Sequence, residues 1–199
     1  MFTTEVTTAS HPLPLILASA SPRRSLLLRE LVPDFQIITE NTAEIQPDHL
    51  SPAEICQVNA HRKAAAIAKS HPQKIVLAAD TLVFLGSKVY GKPRSMEEAL
   101  QTLQELQGRA HTVITGVCLM RPHPHPPDIF AEITTVRFKS LTDEAIRRYH
   151  QLVNPLDKAG AYGIQEHGDQ IIHSIEGSYS NVVGLPLERL RPKLAELLK

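Results

Sequence analysis

Residues 75–80 read IVLAAD, an unbroken apolar run closed by a single acid, with no alternation of polar and apolar positions. A strand of that kind has to be buried on both faces, which calls for helices on either side of a sheet. The stretch that follows, TLVFLGSKVYGKP, reads as a strand turning at Gly86, so this region predicts the centre of the sheet.

The flanking sequence supplies the helices and further strands. Leu15 to Ala18 is a short apolar strand, then a turn, then SLLLRELV, whose leucines suit the inner stripe of a helix. Phe35 to Thr39 reads as another short strand. Ser51 as cap, Pro52 at the first helical position and Glu54 as capping-box acid predict a long helix to Ser70. Ser95 to Leu106 is a capped helix. HTVITGVCLM and DIFAEITTVRFKS are strands forming an antiparallel hairpin, joined by the proline-rich, exposed RPHPHPPD. LTDEAIRRYHQLV is a helix capped by Thr142, PLDKAGAYGIQEHGDQ a glycine-rich loop, IIHSIEG a strand, and LERLRPKLAELL a closing helix that Pro192 kinks or restarts. The fold class is α/β. Residues 1–14 are expected to be a loose arm and 15–199 one compact domain.

Composition narrows the function. Twenty-one basic residues balance 21 acidic ones, so no global field favours nucleic acid or a membrane surface, and any anion site has to be local. Cys56 and Cys118 stand far apart without a C-x-x-C partner, which fits a reducing compartment and small-hydrophobe packing. No stretch approaches the roughly 18 apolar residues of a bilayer span, and the first residues lack the order of a signal peptide. The expected location is the cytoplasm.

Three segments carry chemistry. In LASASPRRSLLL, Ser21 is placed to cap a helix and Pro22 to start it, while Arg23 and Arg24 put cations where the helix dipole disfavours them. An anion at that helix start, held by backbone N–H groups and both guanidiniums, would account for the pair; two solvated surface arginines are the alternative. Asp80, expected at the end of its buried strand, is a candidate metal ligand or general base, or else a turn cap. Lys63, mid-helix among alanines, and Lys92 in YGKP could reach a phosphate. DKAGAYGIQ and GSYSNVVGLPL mix glycines with hydroxyl and amide side chains in a way suited to a pocket wall rather than to a helix or strand. There Gln165 could read a base edge, though a packed structural loop fits as well.

Together SASPRR, AADT, GKP, KAGAYGIQ and GSYSNVVGLPL, in this order, resemble the Maf family of nucleotide pyrophosphatases from Leu15 to the C-terminal helix. The resemblance implies an elongated mixed sheet flanked by helices, two-lobed around a central nucleotide cleft and similar to the inosine-triphosphate pyrophosphatases. It implies cleavage of a nucleoside triphosphate between its α and β phosphates. Asp80 matches the family's proton acceptor, Ser19, Arg23 and Arg24 its triphosphate loop, and Lys63 and Lys92 its cationic positions. Glu44, with Asp80, matches the acids that bind Mg²⁺ or Mn²⁺. Homodimers are common in such families.

Relatives acting on 7-methyl-GTP carry tryptophan where Arg23 stands and lack KAGAYGIQ, so the chain resembles the dTTP and UTP branch, in which Arg23, Thr81 and Gln165 match positions of substrate choice. The implied role is cleansing of the nucleotide pool, with a looser link to cell division. Rivals are an enzyme for 7-methyl-GTP or deaminated purine triphosphates, and a nucleotide-binding regulator with little turnover. Two departures stand out. NTAEI leaves Glu44 as the only acid of a usually more acidic stretch, and Glu166 follows Gln165 where glycine is common, which is expected to alter the base pocket.

Overall fold

The computed structural model describes residues 14–198, so the expected arm lies outside the described residues except for Pro14. Those residues form a seven-stranded mixed sheet: β1 (Leu15–Leu17), β2 (Gln36–Ile37), β3 (Ile75–Leu85), β4 (Lys88–Tyr90), β5 (Ala110–Met120), β6 (Asp128–Phe138) and β7 (Ile172–Glu176). The spatial order is β2-β1-β3-β5-β6-β7, with β4 also on β3. Helices α1 (Pro22–Arg29), α2 (Pro52–Ser70), α3 (Met96–Leu106), α4 (Asp143–Leu152), α5 (Gly168–Ile171), α6 (Tyr179–Val183) and α7 (Leu187–Leu197) cover it.

The long central strand determines the rest. β3 runs antiparallel to β5 from Val76 to Phe84, and its other edge is shared. Parallel β1 takes Ile75 to Leu77, and β4, turning back through Gly86 in the left-handed region (φ +61°), takes Val83 to Leu85. Between those pairings the edge is open, and Asp80 and Thr81 sit in the gap. The expectation that Asp80 ends its strand is therefore corrected. The strand continues for five more residues because Leu82, Val83 and Phe84 are as buried as the residues before it. What ends beside Asp80 is β1, at Leu17.

Alternation along β3 sends its side chains to two helical layers. Ile75, Leu77 and Ala79 pack with α1 and α7 through Leu27, Leu28, Leu190 and Leu194. Val83, on the same face, meets α3 and α4. Val76, Ala78, Leu82 and Phe84 face α2, whose Cys56, Ala60 and Ala64 are fully buried. Asp80 thus points to the α2 side and Thr81 to the α1 side.

Local signals act as the sequence predicts at Ser51, Ser95 and Thr142, each accepting a backbone N–H two or three residues into its helix. At α2 Glu54 closes the capping box, and its side chain in turn accepts the Ser51 N–H. Three expectations change. The second strand is only Gln36–Ile37, with both residues exposed. GSYSNVVGLPL holds a helix, α6, because the Ser178 hydroxyl accepts the Asn181 N–H and Gly184 (φ +122°) ends the turn. PLDKAGAYGIQEHGDQ contains a 3₁₀ turn at Ala159–Ala161 and the single turn of α5. Pro192 lies inside α7. Cys56 and Cys118 are buried free thiols.

Candidate active site

The open stretch of β3 faces a cleft of about 590 Å³ whose wall includes Ser19, Arg23, Arg24, Glu44, Lys63, Asp80, Thr81, Lys92 and Gln165. All of these candidate residues therefore reach one space, although the chain delivers them from separate elements.

Asp80 lies on the floor, 2% exposed. One carboxylate oxygen accepts from Lys63 Nζ at 2.5 Å and the other from Asn59 Nδ2 at 3.3 Å. Asn59 and Lys63 are one helical turn apart on α2, which puts both above the acid. Lys63 also donates to Glu44 at 2.7 Å, so two carboxylates share one ammonium. Burial pushes the Asp80 pKa up; Lys63 opposes the shift and the Glu44 charge adds to it. At Glu44, burial is outweighed by the bond and charge of Lys63, and the net direction is down. Of the pair, Asp80 is the one poised to take a proton.

The approach of α2 depends on Gly116, which pairs with Asp80 across the sheet. A Cβ at that position would stand 2.2 Å from the Cys56 carbonyl carbon. The missing side chain is what lets the helix backbone lie on β5 and bring Lys63 and Asn59 within reach.

On the other face Arg24 is built into the scaffold. Its Nε donates to the Gly184 carbonyl at 2.8 Å, one Nη to Ser19 Oγ at 3.2 Å and the Ala79 carbonyl at 2.9 Å, and the other to Thr81 Oγ1 at 2.9 Å. The bond to Ala79 satisfies a carbonyl on the open edge of β3, where no strand can. Thr81 passes the chain on to Thr115, which donates to the Asn181 carbonyl. Four of its five N–H groups are taken by these partners, which leaves one for a ligand. All four acceptors are neutral, so its charge still acts on the cleft.

Arg23 is held differently. One Nη donates to Asp157 Oδ2 at 2.7 Å and the other to the Asp157 carbonyl at 3.0 Å. Asp157 in turn accepts from Lys158 Nζ at 2.8 Å, and Lys158, 4% exposed, also meets Glu166 at 3.1 Å and the Asn154 carbonyl at 2.8 Å. Glu166 is outside the cleft wall and touches it through Lys158. Lys92 and Gln165 are exposed at the rim, with no hydrogen-bond partner among the described residues.

Asn59, Gly116, Asp157 and Lys158 were not singled out from the sequence. Asn59 is one turn before Lys63 and could have been found by helical spacing; the other three depend on tertiary contact.

Glu44 and Asp80 supply hard oxygen donors of the kind magnesium and manganese accept. Among the described residues no group of three or more His, Cys, Asp or Glu could hold a metal ion. The pair fits the magnesium mode in which one or two carboxylates act together with substrate phosphates.

A cleft with a buried acid, a neighbouring ammonium and an arginine charge, set at the open edge of a mixed sheet, defines a class of α/β proteins built to receive a small anionic ligand. The chain matches the Maf-like protein family over residues 14–197, and it belongs to that family. It is 46% identical over 185 residues to a dTTP/UTP pyrophosphatase of Pelotomaculum thermopropionicum, covering 93% of this chain and 95% of the relative. It is 45% identical to a dTTP/UTP pyrophosphatase of Akkermansia muciniphila, covering 87% and 91%. The solved structure of the Staphylococcus aureus Ham1 protein shares the fold, with a TM-score of 0.55 at 17% identity and coverage of 92% of this chain and 98% of that one.

Proposed function

We propose that this protein hydrolyses pyrimidine nucleoside triphosphates, dTTP and UTP foremost, to the monophosphate and pyrophosphate. The carrying observation is the convergence of Asp80, Lys63, Arg24 and Lys92 on one cleft. The names of its relatives point to the same substrates.

In this reading the water oxygen attacks the α phosphorus, the bond from that phosphorus to the α–β bridging oxygen breaks, and pyrophosphate leaves with the electron pair. Asp80 orients the water and accepts its proton, through the oxygen whose hydrogen-bond donor among the described residues is Asn59. Lys63 moves from its acid partners toward the phosphate as negative charge builds there, and Lys92 and the fixed charge of Arg24 hold the triphosphate. Glu44 and Asp80 would hold Mg²⁺ or Mn²⁺, which when bound supplies charge withdrawal from the phosphate oxygens. Thr81, Gln165 and Arg23 select the base.

The same reading makes the enzyme a cytoplasmic guardian of the nucleotide pool, acting on free nucleotides and working as a homodimer. The balanced net charge supports free nucleotides over a larger polyanion as substrate, and no helix among the described residues is long and apolar enough to cross a membrane.

Purified protein should be offered dTTP, UTP, CTP, 7-methyl-GTP and inosine triphosphate with Mg²⁺, reading monophosphate and pyrophosphate. Highest kcat/KM on UTP or dTTP is expected. Preference for a purine triphosphate would overturn the pyrimidine reading, and no turnover of any nucleotide would overturn the enzyme reading.

A further inference from the structure

Arg23, Asp157 and Lys158 on one wall of the cleft, with Glu166 outside it, form a line of alternating charge. The buried Lys158 ammonium donates to Asp157 and to the Asn154 carbonyl and forms an ion pair with Glu166 at 3.1 Å. Lys158 therefore fixes Asp157 from behind. Asp157 grips Arg23 with a carboxylate oxygen and with its own carbonyl, which sets the guanidinium plane as well as its position. Among the described residues the other three Arg23 N–H groups have no acceptor.

The consequence is a division of labour between neighbours in sequence. Arg24 has only neutral acceptors and keeps its charge for the cleft. The charge of Arg23 is matched by a carboxylate at 2.7 Å, so it adds little to the pull on a polyanion, while its remaining donors are held in a set direction. A neutralised, oriented donor suits a neutral acceptor such as a base or sugar oxygen. A mobile, unpaired cation would suit phosphate.

Resting on the proposed nucleotide cleft, we propose that Asp157 is a positioning residue that makes Arg23 a directional reader of a neutral oxygen on the substrate and keeps it from acting as a phosphate clamp. Asp157 touches no reacting atom in this account; it acts through Arg23. Its removal leaves Lys158 with Glu166 and Asn154, so no buried ammonium is orphaned, and half of the Asp157 side chain faces solvent. The Asp157→Ala variant should therefore fold.

The test measures binding of UTP, GTP and inorganic tripolyphosphate by calorimetry without divalent metal, so it does not depend on turnover. Compared with wild type, Asp157→Ala should bind tripolyphosphate several-fold more tightly and lose about tenfold of the UTP-over-GTP preference. Glu40→Ala, which removes another acid of the cleft wall, should tighten tripolyphosphate while leaving the preference in place. The proposal is overturned if Asp157→Ala leaves all three affinities unchanged, weakens them by a common factor, or behaves as Glu40→Ala does. Failure of the nucleotide reading would show separately, as wild type that binds none of the three.

Discussion

Asp80 places a carboxyl group where burial resists ionisation, with Lys63 and Asn59 as its hydrogen-bond partners. Its folded pKa stands above the ordinary aspartate value, through burial first, with Lys63 opposing and Glu44 adding. On the acid side kcat/KM for UTP should rise with pH as Asp80 loses its proton, with a midpoint above the ordinary value of about 3.9. A midpoint at or below that value would contradict the assigned environment. Asp80→Asn should lower pyrophosphate release by at least about a hundredfold. A group with a raised folded pKa adds stability below its unfolded pKa and loses it as pH rises, so ionised Asp80 costs stability at neutral pH. The melting temperature of Asp80→Asn should not fall, and near-wild-type turnover in that variant would remove Asp80 from the mechanism. His111 shows the opposite sign. It is 2% exposed among Phe138 and Tyr162, bonds only the Tyr162 hydroxyl among the described residues, and burial pushes its pKa down to about 4. The unfolded chain binds the proton first, so acid destabilises the protein progressively from about pH 6.5 down to the folded pKa. Between pH 7 and pH 5 the loss from this group should be about 2 kcal/mol. Urea midpoints at the two pH values should show it in wild type and not in His111→Phe; equal slopes in both proteins would contradict the assignment.

At the level of elements, the contact between α2 and β5 over Gly116 is what assembles the acid with its ammonium. Gly116→Ala forces the α2 backbone outward, because the added carbon would lie 2.2 Å from Cys56. Overpacking of this kind costs about 1–3 kcal/mol, and a displacement on the order of 1 Å at reacting groups costs about a hundredfold in rate. Thermal melts and UTP turnover of Gly116→Ala should both drop; normal activity would mean that α2 does not set the Lys63 geometry. Elements governed by local signals were legible in the sequence: α2 from Ser51, Pro52 and Glu54, α3 from Ser95, α4 from Thr142, and the β5–β6 hairpin from two apolar strands around a proline-rich link. The β3 apolar run showed its centrality but not its length, since the acid at residue 80 looked like an end when only its own burial was weighed. Its neighbours α2 and β5 make that burial tolerable, and such neighbours are invisible in sequence. α6 was missed for a related reason. A turn of helix this short owes its stability to the Ser178 cap and to Asn181 donating to Val113 and Thr134, and not to helix propensity.

For the molecule as a whole, the cleft follows from topology. β1 and β4 take the two ends of one edge of β3 and leave its middle for Arg24 to cap and for substrate to approach. Strand alternation then separates the charged groups, with Asp80 and its lysine on the α2 face and the arginine scaffold on the other. The proposed α–β cleavage, the central claim, comes from the family resemblance and requires a phosphorus to lie between the two. The sequence pointed to much of the charged lining of the cleft but not to Asn59, Asp157 or Lys158, because ranking a residue by its own chemistry overlooks the one that aims it. The most direct measurement is turnover of UTP in water labelled with heavy oxygen, followed by mass spectrometry of the products. The account predicts label in the uridine monophosphate and unlabelled pyrophosphate. Label in pyrophosphate, or the appearance of uridine diphosphate with orthophosphate, would contradict it.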